Sequence, residues 1–245
     1  MQVQKAYKSN SRPYIRMTST IQDLIESYGF KFDTFRDLLI TANGIIAGSS
    51  AVRVWYDPLI QSGEICDFIE NDIDIFISKY DLDIKPRNKK NIKPLVKYLK
   101  SLGWTLNDSL SVPHGSGKFR YMPSEKIDEI YTFIRGEKKI QIVIVTIDIF
   151  EFIKTETDIS ITSTHWIPST DLLVFGGAPF PYDKKYEACF YIDNFYIDIL
   201  KEHDTEFRKR LDKRIKKYEK RGFTMIEKPT PDGTWHEMYS KSYID

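Results

Sequence analysis

Two carboxylates stand two residues apart in the segment Glu70-Asn71-Asp72-Ile73-Asp74-Ile75-Phe76-Ile77-Ser78. In an extended strand, residues i and i+2 project from the same face, so Asp72 and Asp74 point together while Ile73 and Ile75 face a core. Carboxylates forced side by side repel, and a bound divalent cation relieves that repulsion. Hard oxygen donors of this kind suit Mg2+ or Mn2+ rather than zinc. The bland alternative is an edge strand with a solvated polar face.

Upstream, Gly48-Ser49-Ser50 follows the apolar run Ile45-Ile46-Ala47 and opens a helical pattern, Ala51-Val52-Arg53-Val54-Trp55-Tyr56. A helix N-terminus presents free amide donors and the positive end of its dipole, and glycine permits close approach of a phosphate. Ser49 and Ser50 add hydroxyl donors, and Arg53, one turn on from Ser49, extends toward the same anion. Read alone, the turn is better taken as an ordinary serine cap. A third carboxylate, Asp158 in Thr155-Glu156-Thr157-Asp158-Ile159-Ser160-Ile161, heads an alternating pattern that predicts a short strand.

The elements that must position these residues follow from periodicity and punctuation. Ile21, Leu24, Ile25 and Tyr28 predict a first helix capped by Thr18 or Ser19 and closed by Gly29; Phe32, Phe35, Leu38 and Leu39 predict a second, ending at Asn43-Gly44. A loop is expected over 57–69 around Pro58 and Gly63, a strand over 73–77, and a helix over 91–102 stopped by Gly103. Residues 107–126 read as a loop insertion. Strands over 129–134 and 139–146 flank Arg135-Gly136-Glu137 as a hairpin. A short helix is expected over 148–154, a loop over 166–185, and a second hairpin of 188–192 with 195–199 about Asp193-Asn194. A long helix over 202–220 follows, with Gly222 past its end.

The expected fold is α/β (α+β): a small mixed sheet flanked by helices, with a C-terminal hairpin and a long basic helix. It divides into N-terminal helices over 1–44, a core over 45–165 and an extension over 166–245.

In these residues the chain resembles the DNA polymerase beta-type nucleotidyltransferase superfamily, whose pattern is an apolar strand, a Gly-Ser turn opening a helix, an alternating strand bearing two aspartates, and a third acidic strand. The corresponding parts here are Ile45 to Ser50, Asn71 to Ile77 and Thr157 to Ile161. A closer resemblance is to members found in large DNA viruses of protists and in some protists. These share the Ala-Gly-small-small turn, an Asp-Ile-Asp-Ile-Phe strand, a Gln-Ile-Val strand before the third acid, and a terminal run like Lys217-Tyr218-Glu219-Lys220-Arg221-Gly222-Phe223. The resemblance covers most of 40–225. Two departures stand out: a longer insert between the turn and Asp72, and no later Gly-Ser or Gly-Thr extension of the turn.

The resemblance implies a metal-dependent nucleotidyltransferase. It would move a nucleoside monophosphate from a nucleoside triphosphate, ATP among the candidates, to an acceptor hydroxyl by two-metal phosphoryl transfer. Asp72 and Asp74 would hold both ions, and Asp158 the ion that activates the acceptor. Gly48, Ser49, Ser50 and Arg53 would hold the departing pyrophosphate side. The main competing reading is a non-catalytic binding or structural protein on the same scaffold. A glycosyltransferase Asp-x-Asp site fits less well, because polar residues precede the pair and an apolar run follows. A nuclease Glu-x-Lys pattern at Glu137-Lys138-Lys139 falls on a glycine turn.

The acceptor is less sharply marked. Over 202–221, Phe207, Leu211, Ile215 and Tyr218 form one apolar stripe, while Lys209, Arg210, Lys213, Arg214, Lys216, Lys217 and Lys220 cover much of the remainder. Lys213, Arg214 and Lys217 are the candidates for RNA or DNA phosphates; a solvated charged face is the alternative. His165-Trp166 offers either a stacking platform for a base or a packed aromatic pair.

With 36 Lys and Arg against 35 Asp and Glu, the net charge of +1 excludes a broadly basic nucleic-acid binder without excluding a local basic patch. Two cysteines, Cys66 and Cys189, lack CxxC spacing, and four scattered histidines give no zinc pattern. The N-terminal segment has no apolar signal-peptide core, and the apolar stretch 140–153 is interrupted by Thr146, Asp148 and Glu151. A protein without a membrane span in a reducing, cytoplasmic compartment is expected, in a host cytoplasm or virion if the chain is viral.

Overall fold

A computed structural model describes residues 14–15, 18–63, 72–79, 91–111, 126–157, 159–175, 189–190 and 205–225 of the chain. In chain order the elements are β1 (Tyr14–Ile15), α1 (Thr18–Ser27), α2 (Phe32–Ala42), β2 (Gly44–Ala47), α3 (Ser49–Gln61), β3 (Asp72–Ser78), α4 (Lys93–Ser101), β4 (Thr105–Leu106), β5 (Ile127–Arg135) and β6 (Lys138–Val145). Then come α5 (Ile149–Glu156), a 3₁₀ turn (Ser160–Ser163), β7 (His165–Ile167), β8 (Leu172–Val174), β9 (Cys189–Phe190), α6 (Thr205–Glu219) and β10 (Thr224–Met225).

This is a mixed α/β fold. Eight strands form one sheet in the order β1-β8-β7-β2-β3-β6-β5-β4, wider than the small sheet expected, and β9 pairs separately with β10. Among the described residues, β3 and β6 are the one parallel pair in the large sheet. Parallel neighbours need a crossover, and α4 lies in the segment that makes it.

Alternation decides which face of β3 is buried. Ile73, Ile75 and Ile77 are at most 2% exposed and meet Ile140, Ile142 and Ile144 of β6 in a cluster with side chains from α1, α2, α3 and α4. Burying each such side chain contributes about 1.5–3 kcal/mol. A one-residue slip of β3 would exchange three isoleucines for two carboxylates, so the register is strongly held. On the opposite face Ile45, Phe76 and Val143 pack beneath Ile149, Phe152 and Ile153 of α5. A third cluster joins Val52 and Tyr56 of α3 to Ile159, Ile161, Leu211 and Tyr218.

Local chemistry explains the element ends. Asn43 adopts the left-handed conformation after α2, with φ of 51°. Asp148 caps α5 by accepting bonds from the amides of Phe150 and Glu151. The 135–137 hairpin turn forms as expected, joining β5 to β6.

Three expectations need correction. The loop predicted from residue 57 is helical as far as Gln61, with Pro58 inside the helix. Proline removes one amide from the ladder, but Leu59 and Ile60 pack against the third cluster and hold the last turn. The strand expected at 158–162 is a single bridge at Ile159 followed by the 3₁₀ turn. There the hydroxyls of Thr162 and Ser163 bond back to the carbonyls of Ile159 and Ser160, a local arrangement that competes with a ladder. The loop expected over 166–185 contains β8 and most of β7, paired as a hairpin. Each strand is too short to show alternation against the intervening Pro168-Ser169-Thr170-Asp171 turn.

Of the hairpin predicted over 188–199, only residues 189–190 lie among those described, and they pair in parallel with β10. Much of the 107–126 insertion also lies outside the described residues. Among the described residues no helix is long and apolar enough to cross a membrane.

Candidate functional site

β3 leaves Asp72 and Asp74 half-buried on the α5 side of the sheet, alternating with the buried isoleucines. Cross-strand registers place each beside a defined neighbour. Asp74 pairs with Ala47 on β2 and with Gln141 on β6, while Ala47 in turn pairs with His165 on β7. Gln141 faces Thr132 on β5, and its amide donates to the Thr132 hydroxyl at 3.3 Å. Residues directly opposite in a ladder share a face, so His165, Ala47, Asp74, Gln141 and Thr132 form one row across five strands.

Gly48 follows the end of β2 and is the N-cap of α3, with φ of 81° and ψ of −154°. That backbone region is open essentially to glycine alone. Its amide donates to the Thr164 carbonyl at 3.3 Å, and its carbonyl accepts from the Val52 amide at 3.0 Å. A Cβ at this position would lie 3.1 Å from Oδ2 of Asp74. The missing side chain therefore lets a carboxylate sit against the positive end of a thirteen-residue helix.

Asp72 is tied at both ends of its residue. Its carbonyl accepts a hydrogen bond from the Ser50 hydroxyl, locking the start of β3 to the first turn of α3. Its carboxylate faces Lys139, the register partner on β6, with Nζ to Oδ2 at 3.1 Å. Both side chains of this pair are about 30% exposed, so the contact is accessible to solvent and ligands.

The expected anion-binding residues are thus divided. Gly48 and Ser49 form the turn beside Asp74. Ser50 is 1% exposed with its hydroxyl directed to the Asp72 carbonyl, so it braces the site rather than facing a phosphate. Arg53 lies 4.0 Å from Asp57 one turn further along α3.

Asp158 lies outside the described residues. Among the described residues no three or more His, Cys, Asp or Glu side chains gather. The donor set that is described, two half-buried carboxylates on one strand face, fits a hard divalent cation. Lys139 and Gln141 were not among the residues expected. Nothing in the linear spacing links them to Asp72 and Asp74; the parallel β3–β6 register does.

His165 and Trp166 are packed aromatics. His165 is 3% exposed, with Nδ1 2.8 Å from the Ser163 carbonyl, and its ring is 5.7 Å from that of Phe150. Trp166 is 1% exposed, donates its indole N–H to Asp171 at 3.2 Å and tilts against Phe32. Buried rings of this kind offer no face to a base.

The basic helix is amphipathic as expected. Leu211 and Tyr218 are buried, whereas Lys213 and Lys217 are exposed and Arg214 is half-buried. The Lys217 ammonium lies 6.0 Å from the centre of the Tyr218 ring, and the Arg221 guanidinium 5.3 Å from it. The Glu137-Lys138-Lys139 pattern is split: Glu137 is in the turn, Lys138 donates to the Ser27 carbonyl and lies over Tyr28, and Lys139 meets Asp72. A nuclease strand needs the glutamate and the second lysine on one strand face. No protein-family model matches the chain, and no curated protein matches it.

Proposed function

We propose that the chain is a metal-dependent nucleotidyltransferase, transferring a nucleoside monophosphate from a nucleoside triphosphate to an acceptor hydroxyl. The observation that carries this reading is the contact of Asp74 with the Gly48 turn. It sets the Asp74 carboxylate directly beside the N-terminal turn of α3, so a cation and the phosphates it neutralises would share one place.

In this reading Asp72 and Asp74 hold Mg2+ or Mn2+, which when bound supplies charge neutralisation and lowers the pKa of the acceptor hydroxyl. The amides after Gly48, with Ser49, orient the pyrophosphate side of the triphosphate. Ser50 fixes the spacing between α3 and β3 through the Asp72 carbonyl. Asp158 would hold the ion that activates the acceptor hydroxyl and would take its proton. Most of the rate then comes from positioning and from charge stabilisation, since little covalent chemistry falls to the protein. The exposed cations Lys213 and Lys217 on α6 supply a surface for the phosphates of an RNA or DNA acceptor.

The test is incubation of the purified chain with each labelled nucleoside triphosphate, Mg2+ or Mn2+, and a panel of RNA, DNA, protein and small-molecule hydroxyl acceptors. Label transferred to an acceptor with release of pyrophosphate, and lost in Asp72→Asn, supports the reading. Absence of both transfer and metal-dependent triphosphate binding would replace it with a structural role for the scaffold.

A further inference from the structure

Asp72 and Asp74 form a like-charged pair, and the fold sets a cation beside Asp72. Lys139 stands opposite Asp72 across a parallel ladder whose register is fixed by three buried isoleucine pairs on the reverse face. Its placement is therefore a consequence of the sheet rather than of a flexible surface meeting. The Nζ to Oδ2 separation of 3.1 Å puts the ammonium where it interacts with an oxygen the carboxylate would offer to a metal. With about 30% of each side chain exposed, solvent screens the pair, and a divalent cation can reach it.

We infer that Lys139 is a positioning residue that acts through Asp72: it competes with a divalent cation for that carboxylate, and so makes cation binding depend on the polyphosphate. This inference rests on the metal-site reading above. Asp72, Asp74 and Lys139 together carry one net negative charge, half that of the carboxylates alone. A divalent cation arriving by itself meets a weakened attraction and must displace the ammonium. Once it is held, the same three side chains plus the cation are net positive, which favours a triphosphate; without Lys139 they would be neutral. The lysine thus lowers affinity for the bare cation and raises affinity for the cation with its anionic partner. Lys138 cannot substitute, because its ammonium lies over the Tyr28 ring and bonds the Ser27 carbonyl.

The experiment compares parent, Lys139→Met, Lys139→Gln and Lys139→Arg for Mn2+ binding by electron paramagnetic resonance and calorimetry, without nucleotide. A non-hydrolysable triphosphate is then titrated at saturating Mn2+. Lys100→Met, an exposed position on α4 across the sheet, is the control. Both charge-removing variants should bind Mn2+ alone about tenfold more tightly and the triphosphate about tenfold more weakly, the span expected for one partly screened charge. The Lys139→Arg and Lys100→Met proteins should resemble the parent. Two charge-removing variants guard against one misfolding, and thermal unfolding checks both.

Unchanged or weaker Mn2+ binding in Lys139→Met and Lys139→Gln, with parent binding intact, overturns the inference and leaves the metal site standing. A parent that binds no Mn2+ overturns both.

Discussion

Replacing Gly48 by alanine tests whether the turn and Asp74 belong to one site. Two costs can be worked from the structure. The backbone, at φ 81° and ψ −154°, lies where a residue with a Cβ is strained by about 1–3 kcal/mol. The added methyl would also lie 3.1 Å from Asp74 Oδ2, closer than ordinary contact, so the carboxylate must give way by a few tenths of an ångström. For a chain of this length the backbone term corresponds to a fall in Tm of about 2–12 °C. The displaced carboxylate should weaken Mn2+ binding by about tenfold, the scale on which supporting groups tune metal sites. Gly63→Ala separates the terms: its φ is also positive, at 79°, but nothing lies within 4 Å of the added Cβ. Differential scanning calorimetry and Mn2+ titration should show both variants destabilised and only Gly48→Ala impaired in cation binding. Equal Mn2+ affinity in the two variants would refute the argument that Asp74 and the turn share a ligand.

Ser50→Ala should cost about 1–3 kcal/mol, because it leaves the Asp72 carbonyl without its buried donor; urea unfolding should show a lower midpoint at unchanged slope. Asp72→Asn should impair both Mn2+ binding and transfer, whereas Asp158→Asn should keep triphosphate binding and lose most transfer, the mark of an interaction made in the transition state; parent-like turnover by Asp158→Asn, with loss in Asp148→Asn instead, would name Asp148 as the third acid. Changing Lys213, Arg214 and Lys217 to Glu should weaken single-stranded RNA binding and reduce the log–log salt slope by about two, read by fluorescence anisotropy across a salt series. Unaltered binding would assign α6 to solubility or partner contact.

The parts of the molecule legible beforehand are those written in local alternation and punctuation. Asn43, Gly103 and Gly136 end or turn elements by adopting positive φ, and their residue types announce it. The Asp72-Ile73-Asp74-Ile75 alternation states which side chains share a face before any partner strand is known. Other features depend on distant residues. Pro58 reads as a helix stop, yet Leu59 and Ile60 find apolar partners from the third cluster, and tertiary burial outweighs the missing amide. β7 and β8 carry only three residues each, so Trp166 and Leu173 are recognisable as core only once they pair with each other and β2 lies beside β7.

The same distinction governs the site. Sequence spacing pairs Asp72 with Asp74, and it suggests that Gly48 opens a helix, because both statements concern neighbours along one element. That the two features touch is a property of the β2–β3 register, in which Ala47 stands opposite Asp74 and hands the chain on to Gly48. That a lysine neutralises one carboxylate is a property of the β3–β6 register, across a crossover of some sixty residues. The neighbouring register position gives Gln141 to Asp74, an uncharged amide already engaged with Thr132. Asp72 has Lys139 beside it, and Asp74 has the N-terminus of α3 on one side and the Gln141 amide on the other. A ligand bridging both carboxylates would displace a charge at the first and would lie beside the first turn of α3 at the second. In the proposed reading, this arrangement would orient a triphosphate with its phosphates toward α3 and its cation toward β3.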